Sequence, residues 1–371
     1  MKRIGFKMSV KARGTVFCGL FLILTQVSRA ELLMQPYLQD AGQTSIYVLA
    51  ECDSKTMPAM VQYGKTTSYG LSVTAQSADT TTRPSFVQKI KISGLIPGTK
   101  YHYRAVHGGS VSPDYTFMTA SGDDAAFSFA FMADSQENTR AHGDIARLIS
   151  AALPDFSVYG GDLCSSGDYN SFKNEFFIQP ELDLISFIPF YLAPGNHEGW
   201  SQNTKAFTKA PLTGQDGYFS FDRGSAHFII LNTEADFGTG SPQYEFARED
   251  LASTNKKWKI AVFHKPAYAQ GGDWWGFPNP TREIADNVLS PAGVQLTLSG
   301  HMHYYQHNYS KGTHHLVISS AGGYLENPVP DSYTIKGDKG YHYAIVDVNS
   351  LSLCVRVYND AGAQVDTVCL P

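Results

Sequence analysis

Seven side chains stand out by their type and by what precedes them. Asp134 comes two residues after the apolar run Phe127–Met132, and Gln136 follows two residues later. Asp162 follows Phe156–Tyr159 through Gly160-Gly161. Asn196 follows Phe187–Leu192 in Pro194-Gly195-Asn196-His197-Glu198. His264 follows Trp258–Phe263 in Phe263-His264-Lys265-Pro266, and His301 and His303 follow Val294–Leu298 in Gly300-His301-Met302-His303. Carboxylate, amide and imidazole donors suit borderline or hard divalent cations such as zinc, manganese or iron. Singly, each residue has an ordinary explanation: an Asp at a strand end caps a turn, and a lone His is usually a hydrogen-bonded structural residue. In this order, each at the end of an apolar run, they point to one metal centre. In α/β sheets ligands gather at the carboxyl ends of strands, and the adjacent glycines allow tight turns around a bound ion or phosphate.

The elements that must hold them fall into two patterns. Residues 31–122 carry short alternating runs between turn residues: Ser45–Leu49, Ala59–Tyr63, Val87–Ile92 and Lys100–Val106. Strands at this spacing predict a small all-β sandwich. Thr119 to Ala126 is small and polar and marks the boundary. Over 123–371 apolar strands alternate with helical stretches at Ala141–Leu153 and Gln243–Ser253, which predicts a layered α/β domain, a two-sheet sandwich. The last runs, Tyr341–Val348 and Leu351–Tyr358, read as antiparallel.

Residues 1–30 read as a secretory signal peptide. Lys2, Arg3, Lys7, Lys11 and Arg13 precede the apolar run Gly14–Thr25, and Ser28 and Ala30 fit a cleavage before Glu31. The run is short for a membrane span, so the expectation is a secreted or periplasmic protein with no stable span after cleavage. Cleavage takes Lys+Arg from 29 to 23, leaves Asp+Glu at 34 and moves the net charge from −5 to −11. So acidic a chain, with no basic run, is a poor footprint for DNA or RNA, so no nucleic-acid partner is expected, and it favours a small substrate whose charge is met by metal. Oligomeric state has no signature here. Of the remaining cysteines, Cys354 and Cys369 flank the turn Asn359-Asp360-Ala361-Gly362 and are expected to pair across a hairpin, while Cys52 and Cys164 are expected to be free.

The ordered set Asp134, Gly161-Asp162, Gly195-Asn196-His197-Glu198, His264 and Gly300-His301-Met302-His303 resembles the calcineurin-like metallophosphoesterase superfamily. With the β-domain in front, whose run Leu95–Tyr103 is similar to a fibronectin type III strand edge, the layout resembles purple acid phosphatases. The resemblance implies a dinuclear site. Asp162 would bridge two divalent ions, with Asn196, His264 and His301 on one and Asp134 and His303 on the other. Two such ions clamp an attacking hydroxide and the phosphoryl oxygens for in-line displacement. His197 would face the substrate as the catalytic group that protonates the leaving group or stabilises the transition state.

Two departures matter. Purple acid phosphatases carry a tyrosine, the source of their colour, where this chain has Ser165; many other relatives carry a histidine where it has Gln136. Gln136 can offer an amide oxygen, a neutral and weaker donor. The expectation is a divalent site without a tyrosinate–ferric band. Tyr304-Tyr305-Gln306-His307 also departs from the purple acid phosphatase pattern. Gln270 to Phe277, rich in Gly and Trp, could wall the active site or pack on the neighbouring domain. His142, His227, His307, His314 and His315 read as structural or surface residues. The same cradle serves a phosphatase or a phosphodiesterase. An exported binding protein on a hydrolase fold is the alternative from another class.

Overall fold

The computed structural model describes residues 30–209, 216–269 and 280–371, with Met1 and Gly5. The signal-peptide reading, apart from those positions, and the Trp-rich segment 270–277 therefore lie outside the described residues. Among the described residues, no helix is long and apolar enough to cross a membrane.

Two sheets form the larger part of the molecule. The first has ten strands in the order Gln364–Leu370, Leu353–Asn359, His342–Val348, Phe127–Met132, Phe156–Tyr159, Phe190–Leu192, Tyr37–Gln39, Ser45–Cys52, Phe86–Ser93 and Ser77–Thr80. The second has seven, in the order Phe219–Arg223, Ala226–Ile230, Trp258–Val262, Leu296–Ser299, Thr313–Ile318, Tyr305–Ser310 and Thr334–Asp338. Side chains alternate across a strand, and here both faces are buried. Phe127, Phe129 and Phe131 enter the core between the sheets, while Ala130 and Met132 pack beneath the helix Thr139–Ala152. Phe228 and Ile230 face the same inter-sheet core, whereas Ile229 packs under the helix Pro242–Ser253. Phe129 stacks on Phe156 at 5.4 Å, and Phe228 meets Phe156 edge-on at 5.6 Å. Each such buried ring contributes roughly 1.5–3 kcal/mol, so the strands that carry the site are held from both sides.

The N-terminal strands do form a sandwich. Leu38, Ile46, Val48 and Ile90 on one sheet face Val61, Tyr103 and Phe117 on a five-stranded sheet built around Met60–Gly64 and Lys100–His107. One of its two sheets, however, continues into the large sheet. Tyr37–Gln39 lies parallel to Phe190–Leu192 through the single pair Gln39↔Phe190. Polar ties reinforce the join: Tyr103 donates to the Ser186 carbonyl at 2.7 Å and Tyr37 to the Phe207 carbonyl at 2.8 Å.

One strand begins later than its sequence suggests. Phe187 and Ile188 are apolar but donate their N–H groups to the Leu184 carbonyl, which closes the helix Gln179–Ile185; the strand starts at Phe190. The C-terminal hairpin is antiparallel, with Cys354 directly opposite Cys369 and joined to it as a disulfide. Cys52 and Cys164 are free and buried.

Candidate metal centre

Phe127–Met132, Phe156–Tyr159 and Phe190–Leu192 are parallel neighbours in the large sheet, as are Trp258–Val262 and Leu296–Ser299 in the smaller one. Each of the five motifs therefore leaves the carboxyl end of a parallel strand, at one end of the sandwich. The backbone turns sharply there. Asp134, Asp162 and His301 have φ of 57°, 53° and 70°, a left-handed region that non-glycine residues hold only where their surroundings impose it. The surrounding bonds do so: Asp134 N–H donates to the Gly161 carbonyl at 2.9 Å and Gly300 N–H to the His264 carbonyl at 3.0 Å. A Cβ on Gly195 would collide with the Asp162 carboxylate, and one on Gly300 with that of Asp134.

Four donor atoms converge on one point. His264 Nε2 lies 3.1 Å from Asp162 Oδ2, 3.1 Å from Asn196 Oδ1 and 3.2 Å from His301 Nδ1. His264 donates its other ring nitrogen, Nδ1, to the Gly160 carbonyl at 2.8 Å, which in the neutral ring leaves Nε2 as a lone pair. Two oxygens and two nitrogens then face one another in a buried space. Their electrostatics call for a positive charge at the centre. Burial opposes charge on His264, yet the Asp162 carboxylate outweighs it and pushes the imidazole up to about 10. Burial and the His264 charge together press His301 down to about 3. Burial alone would raise Asp162, but His264 and the His197 N–H bring it down to about 2. One proton cannot serve four acceptors; a cation with open coordination positions can.

A second group adjoins the first. Asp134 is fully buried and accepts the His301 backbone N–H at 3.0 and 2.9 Å and the Ser319 hydroxyl. Its Oδ1 lies 3.5 Å from His303 Nε2. His303 donates Nδ1 to the Tyr324 carbonyl at 2.9 Å, and that fixes which nitrogen it presents, as for an imidazole held to bind metal. Gln136 is fully buried with its amide nitrogen 3.5 Å from His303 Nε2, and its Oε1 has no hydrogen-bond partner among the described residues. An orphaned buried carbonyl beside a histidine and a carboxylate fits a second cation. The seven candidate donors thus lie in two adjoining groups, of which Asp162, Asn196, His301 and His303 reach the cleft surface while Asp134, Gln136 and His264 are buried behind them.

His197 stands apart from the converging donors. Its backbone N–H donates to Asp162 Oδ1 at 2.8 Å, its Nδ1 donates to the Ser165 carbonyl at 3.0 Å, and its Nε2 is 3.8 Å from Asp162 Oδ2 at the cleft wall. Ser165 turns its hydroxyl to Glu175, 2.7 Å away. Among the remaining histidines, His142 bonds Glu181 at 3.1 Å and His227 sits between Asp222 and Asp250, both as framework.

Glu198 carries a part that sequence reasoning missed. Its buried carboxylate accepts the backbone N–H groups of Gly195 at 2.7 Å, Leu163 at 3.1 Å and Asp162 at 3.2 Å. It thereby locks two metal-facing turns together. Burial, then the charge of Asp162, pushes its acid up to about 8. The signal was present: an acid directly after Asn-His in a tight turn. Tyr324 and Glu326, which also line the cleft, had no such signal.

Residues 127–305 match the calcineurin-like phosphoesterase family, and residues 34–119 match the purple acid phosphatase N-terminal domain. Purple acid phosphatase 22 of Arabidopsis thaliana is 25% identical over 303 residues, covering 73% of this chain and 66% of that protein. Probable inactive purple acid phosphatase 27 of the same plant is 25% identical over 308 residues, covering 66% of this chain and 50% of that protein. This chain thus spans between half and two thirds of the length of these two relatives. Purple acid phosphatase PPD1 from yellow lupin (Lupinus luteus) superposes with a TM-score of 0.80 at 18% identity, over 91% of this chain and 74% of that one. PhoD superposes with a TM-score of 0.66 at 14% identity, over 90% and 91%. The chain thus carries a calcineurin-like phosphoesterase domain behind an N-terminal domain of the purple acid phosphatase type.

Proposed function

We propose that this chain is an exported, metal-dependent phosphoesterase that hydrolyses a small phosphate ester at the cleft of Asp162 and His197. The convergence of Asp162 Oδ2, Asn196 Oδ1 and His301 Nδ1 on His264 Nε2 carries the proposal. Asp162 would serve two divalent cations, with Asn196, His264 and His301 on one side and Asp134, His303 and Gln136 on the other. Cations held there would supply Lewis-acid charge for the attacking water and the phosphoryl oxygens. The chain's own groups do the rest. Gly160 and Tyr324 carbonyls fix the faces that His264 and His303 present. The Ser165 carbonyl holds His197 by Nδ1, so that Nε2 is left to carry a proton to the departing oxygen. Export rests on the leader-like residues 1–30.

A non-catalytic binding protein is the second reading. The Ser165 hydroxyl turned to Glu175, and the name of the relative called probable inactive, favour it. Manganese- or zinc-loaded protein should hydrolyse a chromogenic phosphate ester, and Asp162→Ala should abolish turnover. Wild-type protein that takes up no metal and cleaves no ester would move the assignment to the binding protein.

A further inference from the structure

The mouth of the cleft is acidic. Glu326 lines it beside His197, His303 and Tyr324. Its backbone N–H is tied to the His303 carbonyl at 2.9 Å, so the residue is anchored to the backbone of a proposed metal-binding residue. Its carboxylate makes no hydrogen bond or ion pair with any described residue. The exposed Glu137 lies behind this lining and accepts the Tyr324 N–H at 3.0 Å. No Lys or Arg lines the cleft among the described residues. Lys265, next to His264 in sequence, is paired with Glu234 at 2.9 Å. The segments 210–215 and 270–279 contain no Lys, Arg or His at all.

From this arrangement we infer that Glu326 is a specificity-determining residue that sets the site against phosphomonoester dianions and in favour of phosphodiester monoanions. The inference rests on the phosphoesterase reading above. Near neutral pH a monoester carries a second negative charge that a diester lacks. In a partly desolvated mouth that charge meets the Glu326 carboxylate, which no Lys or Arg among the described lining residues offsets. Repulsion between unit charges several ångströms apart in such surroundings is worth about a tenfold change in rate or binding. A diester presents one charge and an organic group in its place, and the exposed ring of Tyr324 offers that group an apolar face.

The test compares Glu326→Gln and Glu326→Lys with the wild-type metal-loaded protein, on p-nitrophenyl phosphate and on bis(p-nitrophenyl) phosphate. Wild-type kcat/KM should be higher for the diester. Glu326→Gln should shift the ratio toward the monoester by about tenfold, and Glu326→Lys should shift it further. Binding gives a readout independent of turnover: calorimetric Kd for inorganic phosphate should tighten in Glu326→Gln more than that for dimethyl phosphate. Metal content and thermal midpoint identify a variant that has merely lost its fold, and Glu137→Gln, which removes the carboxylate behind Tyr324, then gives a smaller shift in the same direction. Turnover of both esters with a ratio and phosphate affinity unmoved by all of these variants would overturn the charge assignment and leave the phosphoesterase reading standing. Turnover of neither ester by protein holding two metals would overturn both.

Discussion

The Glu198 carboxylate accepts the backbone N–H of Asp162 at 3.2 Å from within the next motif, 36 residues along the chain. The same oxygen accepts the Gly195 N–H, and its twin accepts that of Leu163. A buried acid thus replaces the strand hydrogen bonds that both turns give up in order to point their side chains at the centre. The geometry of Asp162 and Asn196 is set one step behind the metal-facing atoms, as is usual for the partners of metal ligands.

Glu198→Ala leaves three buried N–H groups without an acceptor. Each unsatisfied buried group costs about 1–3 kcal/mol, so a loss of at least about 2 kcal/mol in denaturant unfolding is expected, together with a fall in bound metal. Glu198→Gln keeps an oxygen for Asp162 and Gly195 but turns an NH2 toward Leu163, so it should fall between. Wild-type metal content and stability in Glu198→Ala would show that the turns hold themselves.

Gln136 has a buried carbonyl with nothing to bond and a histidine beside its amide nitrogen. An amide oxygen is a weaker donor than imidazole, so Gln136→His should tighten the weaker of the two metals, on the order of tenfold in a chelator competition, and Gln136→Ala should weaken it. Iron-loaded wild-type protein should show no tyrosinate charge-transfer band, because the position that would supply it is Ser165, bonded to Glu175. Equal metal affinity in all three proteins would remove Gln136 from the site.

His227 offers a pH test remote from the metals. Its Nδ1 is 2.8 Å from Asp222 and its Nε2 is 2.7 Å from Asp250, which links the strand Ala226–Ile230 to the helix Pro242–Ser253. Lys256 approaches Asp222 from the other side at 3.9 Å, and Ser220 donates to Asp250. Burial works against the charged ring, but Asp250 and Asp222 outweigh it, and the His227 pKa is raised. A histidine raised on folding adds stability that is fully present below its unfolded value of about 6.5 and is lost as pH climbs through the folded value. The stability gap between wild type and His227→Gln should therefore be widest below about pH 6 and narrow toward alkaline pH. A gap that stays constant or widens as pH rises would show that the ring is held neutral.

Much of this was legible because two local signals carry it. A short apolar run marks Phe127–Met132 as a strand buried on both faces, and a glycine next to an acid or histidine marks a turn that brings a side chain close. The hairpin disulfide was legible for a related reason: the Asn359–Gly362 turn fixes the register that sets Cys354 opposite Cys369. What failed to show lacks a local signature. Phe187 and Ile188 are as apolar as strand residues, but their N–H groups are claimed by the preceding helix. The union of the N-terminal sheet with the large one turns on the single pair Gln39↔Phe190. Glu326 enters the cleft only because the chain returns past His303.

His197 gives the sharpest test of the proposed chemistry. Its tie to Asp162 is a backbone N–H, which substitution of the side chain leaves in place. His197→Ala should therefore keep its metals and fold. What it loses is the Nε2 that the Ser165 carbonyl aims by holding Nδ1. General-acid assistance is worth about 10²–10⁴ in rate, and it matters most when the departing oxygen is strongly basic. The loss in kcat should thus be large for an alkyl ester and much smaller for a p-nitrophenyl ester, whose leaving group needs little protonation, with KM changed less than kcat. Equal losses for both leaving groups would indicate that His197 stabilises the phosphoryl oxygens instead, and a loss of bound metal would make it a structural part of the centre.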